Sequence, residues 1–258
     1  MVRDRRRSYE LNGPESEGLA TIGAFRVVHA DDLHHVFNSD RAPQAPRDAV
    51  RHLQESGLLE RIPLESRSRD VVVLTRSGRD VLEAHRVERD TEPRQTFYAG
   101  LRKPRELTHD AQVYRAYLRA EERLRGGGAR VRRVVLDYEL KREYQQFLQE
   151  RNRGRADSTG RPDREPEEIA AWAHEHDLPF FDGSVHFPDA RLECEDADRQ
   201  VRHEDIEVVT EHYRGAHAAG TARSGFRTYG IGLTVRTSGR SGGGGRPPNP
   251  RLAEELLG

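Results

Sequence analysis

The sequence predicts a mixed α/β protein, on three observations. Apolar residues recur at helical spacing between residues 19 and 53. Two β-rich runs, "LLERIPL" and "DVVVLT", follow with a polar tip between them. Further on, residues 189–208 alternate apolar and charged side chains, the period of a half-buried strand.

The first element justified by this pattern is a helix. Residues 1–17 are polar and read as a flexible N-terminal segment. From there Leu19, Ile22, Phe25 and Val28 fall at helical spacing. A second short helix, "HADDLHHVF", puts Ala30, Leu33, Val36 and Phe37 on one side, and "NSDRAPQAP" breaks it. A third, "PRDAVRHLQESG", has Pro46 near its first turn, Ala49, Val50 and Leu53 inward, and Gly57 at the expected C-terminal cap. The hairpin comes next, with the basic tip "ESRSR", and Thr75 then caps the helix "RSGRDVLEAHR".

Three helices, a hairpin and a closing helix make a winged helix-turn-helix over residues 18–90. Such a unit can lay its third helix in the major groove and touch phosphate or minor groove with its wing. The exposed side of that helix offers Gln44, Arg47, Arg51 and Gln54, and the wing tip offers Arg67 and Arg69. Arginine suits both guanine edges and phosphates. Two facts pull the other way. Residues 1–100 carry 16 basic against 17 acidic side chains, and winged helices also serve as protein-binding modules.

After a basic connector, residues 91–107, the run "THDAQVYRAYLRAEERLR" reads as a helix. Val113, Tyr114, Tyr117, Leu118 and Leu124 form its apolar face, with Glu121 in the middle. A carboxylate aimed at a core needs a cationic partner or a metal, unless it sits at the core's edge. A glycine turn leads to a strand centred on Val134–Leu136, and residues 141–165 begin helical and become loop-like. "EPEEIAAWAHEHDLPFFDG" gives a short helix with Ile169, Trp172 and Ala173 inward; His174 and His176 lie on different faces and read as surface.

Two strands follow. On the first, Ala190, Leu192 and Cys194 alternate with Asp189, Arg191, Glu193 and Glu195; on the second, Ile206 and Val208 alternate with Asp205 and Glu207. A helix ("EHYRGAHAAGTARSG") and a last strand ("FRTYGIGLTV") complete residues 108–236. The order is helix, three strands, helix, strand. Residues 237–258 are a Gly/Pro-rich flexible tail ending in "LAEELLG", too short for a stable helix alone.

That order, with Pro188–Asp189 in the second strand and an acidic pair in the third, resembles the restriction-endonuclease-like fold. With the winged helix before it, the chain resembles the replication-relaxation family of plasmid and mobile-element proteins, on "LTHDAQVYRAYL", "HFPDARLE" and "DIEVVTEHYRG". The resemblance spans roughly residues 19–234. It implies double-stranded DNA as partner, a role in replication or mobilisation, and homodimerisation or contacts with replication or mobilisation proteins. It also implies a nuclease-like centre, with Glu121, Asp189 and Glu207 as ligands of Mg²⁺ or Mn²⁺ and Asp189, Asp205 and Glu207 as catalytic carboxylates.

The pattern departs from such nucleases at one point. They place a lysine two residues after the acidic residue of the third strand. Here that place holds Val209 if the acid is Glu207, and Glu207 if it is Asp205; the chain's two lysines, Lys103 and Lys141, lie elsewhere. A relaxase would instead need a tyrosine nucleophile, for which Tyr213 is the candidate. Three readings stand open: a nicking nuclease or relaxase, a winged-helix regulator with an inactive nuclease-like half used for assembly, and a scaffold.

Charge and composition bound these readings. Residues 101–158 carry 15 basic against 9 acidic side chains and residues 159–237 carry 9 against 16, so a basic stretch adjoins an acidic one. The lone cysteine, Cys194, excludes an internal disulfide and a cysteine-based zinc cluster. No apolar run suits a membrane span, and the expected location is cytoplasmic.

Overall fold

A computed structural model describes residues 2–4, 7–37, 44–64, 70–85, 94–100, 107–157, 162–209 and 223–230, and the protein is mixed α/β. Where the sequence suggests a flexible start, β1 (Val2–Asp4) and β2 (Arg7–Tyr9) form an antiparallel hairpin. The side chain of Tyr9 supplies the reason, being buried in the main core.

Helix α1 (Gly13–Phe25) starts at a capping box. The Asn12 side chain accepts from the Glu15 N–H at 2.9 Å, and the Glu15 carboxylate accepts from the Asn12 N–H at 3.0 Å. The helix stops at Arg26, whose φ of 66° and ψ of −49° close a γ-turn, with Val27 N–H on Phe25 C=O at 2.7 Å. The chain then enters β3 (Val28–His29), a 3₁₀ turn (Ala30–Leu33), α2 (His34–Phe37) and α3 (Ala45–Glu55). Val28 is thus the first residue of a strand, whereas its spacing suggested a fourth helical position.

Gly57 takes φ 72°, the left-handed conformation that ends α3 and that glycine adopts without a Cβ clash. Strands β4 (Leu59–Ile62) and β5 (Val71–Leu74) follow, and the sheet runs β3-β5-β4, all antiparallel. Thr75 precedes α4 (Arg76–His85). Its hydroxyl accepts from Gly78 N–H at 3.1 Å and donates to Gly57 C=O at 2.6 Å, pinning the start of α4 to the exit of α3.

Residues 94–100 strap the two halves together. Gln95 pairs twice with Val134, as donor to its C=O and acceptor from its N–H, both at 2.9 Å. Tyr98 N–H reaches Gly23 C=O at 2.9 Å, and Gly100 N–H reaches Leu74 C=O at 2.8 Å. Phe97 is buried beneath them.

In the second half come α5 (Leu107–Gly126), β6 (Arg130–Leu136), α6 (Asp137–Gln149), α7 (Pro166–Glu175), a small hairpin of β7 (Phe180–Phe181) and β8 (Ser184–Val185), β9 (Ala190–Glu195), β10 (Val201–Val209) and β11 (Arg227–Gly230). The main sheet has the order β11-β10-β9-β6; β6, β9 and β10 are successively antiparallel, and β11 is parallel to β10. Ala190, Leu192, Cys194, Ile206 and Val208 are buried and belong to the same core as Val113, Tyr117 and Ala120 of α5. On the other face Val135 packs with Leu140, Trp172, Ala173 and Leu178, so α6 and α7 cover that end.

One core runs through both halves. Phe25 of α1 sits 4.9 Å from the Tyr114 ring and 4.6 Å from the Tyr117 ring, centroid to centroid. Arg115 of α5 grips Asp32 with two hydrogen bonds, at 2.5 and 3.1 Å. Where α1 meets α5, two carboxylates crowd together. Burial first, and the charge of Glu121 second, push the Glu17 carboxyl up to about 7 from 4.5. A raised carboxyl pKa weakens the fold as pH climbs through that interval and costs nothing below it. Glu17→Gln is therefore expected to raise the melting temperature at pH 8 and leave it unchanged at pH 4. An equal gain at both pH values, by thermal unfolding, would remove this explanation.

Candidate functional site

Two regions can carry function: the outer face of α3, and a cleft where the two halves meet. On α3, Pro46, Val50 and Leu53 are buried, while Gln44, Arg47 and Arg51 are exposed and Gln54 is half-buried. Arg51 holds Asp48 of the same face at 2.7 Å, an exposed pair of small worth that a phosphate can displace. His52 contacts the capping carboxylate Glu15 at 2.7 Å, fixing α3 against the start of α1. Arg67 and Arg69, expected at a wing tip, lie outside the described residues, as does Tyr213.

The cleft, about 420 Å³, is lined by Phe25 and Arg26 from the first half and by His109, Asp110, Asp137, Tyr138, Lys141 and Asp189 from the second. Asp189 ends the loop before β9. Its Oδ2 accepts from Val208 N–H at 2.7 Å and lies 3.2 Å from His109 Nε2. The Asp189 C=O accepts from Asp137 N–H at 3.0 Å, tying the start of α6 to the same point. The neighbouring carboxylates of Asp110, 3.7 Å from Nδ1, and then Asp189 outweigh burial and push His109 up to about 10, so the ring is an imidazolium at neutral pH.

Among the candidate carboxylates the structure brings some together and keeps others apart. The β9–β10 register ends at Ile206 opposite Ala190, so Asp189 lies just before β9, and its carboxylate turns to Val208 N–H and to His109 of α5. Asp205 stands opposite Arg191 of β9, which takes it through Nε and Nη2, at 2.7 and 2.9 Å, each side chain about 10% exposed. The same guanidinium donates to His176 C=O at 2.6 Å and Asp177 C=O at 2.9 Å, at the end of α7. Asp205 is thus bound into a structural clamp.

Glu121 does not join Asp189. It lies twelve residues beyond His109 on α5, about 18 Å along the axis, and its carboxylate pairs with Arg125 at 2.7 Å. Burial raises its pKa, and Arg125 and Tyr117 oppose the rise. The expected three-ligand set of Glu121, Asp189 and Glu207 is not assembled. Among the described residues no group of three or more His, Cys, Asp or Glu side chains is placed to hold a metal ion. A divalent ion at Asp189 would compete with the His109 ring for its carboxylate.

Reading the sequence passed over three residues that the structure puts at these sites. His109 stands 80 positions before Asp189, and no periodicity links them. Arg191 was recognised as facing the acidic side, which is the one signal that could have predicted its pairing with Asp205. Arg26 lines the cleft from a γ-turn that breaks no apolar pattern. The His109 geometry gives a direct expectation: by NMR its ring stays protonated past pH 8, and Asp189→Asn lowers its pKa. Because the folded pKa is raised, the stability this pair supplies is complete below about 6.5 and is lost as pH rises toward 10. A ring that titrates near 6.5 in the native protein would contradict it.

No protein-family profile, no curated protein and no solved structure matches the chain. Among the described residues no helix is long and apolar enough to cross a membrane.

Proposed function

We propose that the chain is a DNA-binding protein of a plasmid or mobile element, docking on duplex DNA through a winged helix-turn-helix, with its nuclease-like half serving assembly. The observation that carries this reading is α3: its buried side locks into α1 and the β3-β5-β4 sheet, and its outward side presents Gln44, Arg47 and Arg51. The strand order β11-β10-β9-β6, with β11 parallel to β10, supports a nuclease-like second half. The Arg191–Asp205 clamp and the distance of Glu121 from Asp189 favour assembly over cutting.

The test is duplex binding at several salt concentrations. Arg47→Ala with Arg51→Ala is expected to weaken binding at least about tenfold, because a base-reading arginine contributes ~1–3 kcal/mol and a phosphate contact changes the salt slope. Unchanged duplex affinity in that variant would sink the α3 interface.

A second reading, metal-dependent nicking, is favoured by the Asp189 carboxylate, which lines a cleft just before β9. Supercoiled plasmid incubated with Mg²⁺ or Mn²⁺ decides it. Nicking that Asp189→Ala abolishes would establish the nuclease; intact plasmid with both proteins is the result the assembly reading expects.

A further inference from the structure

A second cleft, about 430 Å³, adjoins the first on the other side of Arg26. Arg26 and Tyr138 line both, so the two form one groove along the junction of the halves. Arg79, Arg142 and Tyr98 complete the cationic and aromatic wall of the second cleft, against Asp80 and Glu83.

Arg26 is the unusual residue. Its γ-turn backbone, φ 66°, is a conformation that crowds any Cβ, and a residue held there against its preference points to a use for its side chain. That side chain is only 12% exposed, and among the described residues its guanidinium meets a single carboxylate, Asp110, at 3.7 Å. This is longer than a hydrogen bond, so a fork of five donors stands at the meeting of two clefts nearly unused. Arg142 is exposed and has no carboxylate partner among the described residues. Tyr98 and Tyr138 meet edge to face with ring centroids 6.2 Å apart. Both are half-buried, and the Tyr98 hydroxyl is anchored on Glu139 at 3.2 Å.

Guanidinium groups beside fixed aromatic rings are what phosphate and base together require. Each cleft lies near the lower end of the roughly 300–1,000 Å³ range of small-ligand sites, so a nucleotide enters and a duplex does not. We propose that the Arg26 groove binds a nucleoside phosphate, its phosphate on Arg26 and Arg142 and its base against Tyr98 and Tyr138. The source is either a free nucleotide or a nucleotide within a single strand. This site is separate from α3 and does not depend on it.

Fluorescence anisotropy of a labelled oligothymidylate of roughly ten nucleotides tests it, with thymidine monophosphate and inorganic phosphate as competitors. The oligonucleotide is expected to bind, with Arg142→Ala and Tyr138→Ala each weakening it about fivefold or more. The salt slope is expected to fall by about 0.7 in Arg142→Ala, the loss of one single-strand phosphate contact. Arg26→Gly removes the guanidinium while relieving the backbone, so it is expected to lose binding without losing melting temperature. Tighter binding of the oligonucleotide than of the monophosphate assigns the strand; equal binding assigns the free nucleotide. Inorganic phosphate competing as well as the monophosphate would overturn the nucleoside assignment. Absence of binding, or binding unchanged in all three variants, would overturn the site. Duplex affinity in Arg47→Ala with Arg51→Ala is measured alongside, so failure of the groove and failure of α3 are told apart.

Discussion

Arg191→Ala is expected to destabilise the protein by about 3–5 kcal/mol, the cost of leaving a buried ion-pair partner alone. The reason is local. Truncation strands the Asp205 carboxylate, about 10% exposed, and removes the donor from two carbonyls at the end of α7. For a chain of this size the melting temperature falls by roughly 2–4 °C for each kcal/mol, so a drop on the order of 10 °C is expected. Arg191→Met with Asp205→Leu removes both charges and is expected to recover part of the loss, since two apolar groups desolvate without penalty. A single-mutant loss below about 1 kcal/mol would mean that the clamp is solvated and that Asp205 is available for other chemistry.

The clamp bears on how any activity data are to be read. Asp205→Ala leaves a buried guanidinium unpaired, so it is expected to lower stability first. A loss of DNA processing in that variant, measured without a melting curve, would mistake unfolding for catalysis. Asp189 differs: its Oδ2 holds Val208 N–H and His109 at the lip of the cleft, so its substitution perturbs one sheet end and one charged ring.

These two aspartates also show what could be read from sequence. Alternation placed Asp189, Arg191, Asp205 and Glu207 on one face; the register sets Arg191 and Asp205 opposite each other, while Asp189 lies before β9 and turns to His109 of α5. Alternation could not say which of them oppose one another. That depends on the register through the turn at residues 196–200, and the observed register sets Asp205 against Arg191. Helix periodicity had the same limit at Val28. Leu19, Ile22, Phe25 and Val28 continue one stripe, but Arg26 turns the chain with no glycine or proline to announce it. Conversely, α3 and α4 were legible because proline, glycine and threonine mark their ends. Glu121 was legible as a carboxylate on an apolar face; its partner four residues on was the local solution that the helix itself provides.

Gly78→Ala is expected to cost about 2–4 kcal/mol, against the sign that helix propensity alone predicts. In an open helix interior, alanine for glycine gains ~1 kcal/mol. At position 78 an added Cβ would lie 2.3 Å from the Leu58 carbonyl oxygen and 3.2 Å from a Leu74 methyl, so backbone must move. The movement falls on a joint: Thr75 caps Gly78 and donates to Gly57, at the exit of α3. Pushing α4 outward therefore releases the C-terminal end of α3 and the base of the hairpin together. Loss of duplex affinity is expected to accompany the loss of stability, although Gly78 lies away from the face that carries Arg47 and Arg51. Gly126→Ala is the control, since nothing lies within 4 Å of the Cβ it would add, and a neutral or slightly stabilising effect is expected. Equal melting temperatures for the two variants would show that α4 shifts freely, and α3 would then need another anchor to hold its arginines outward.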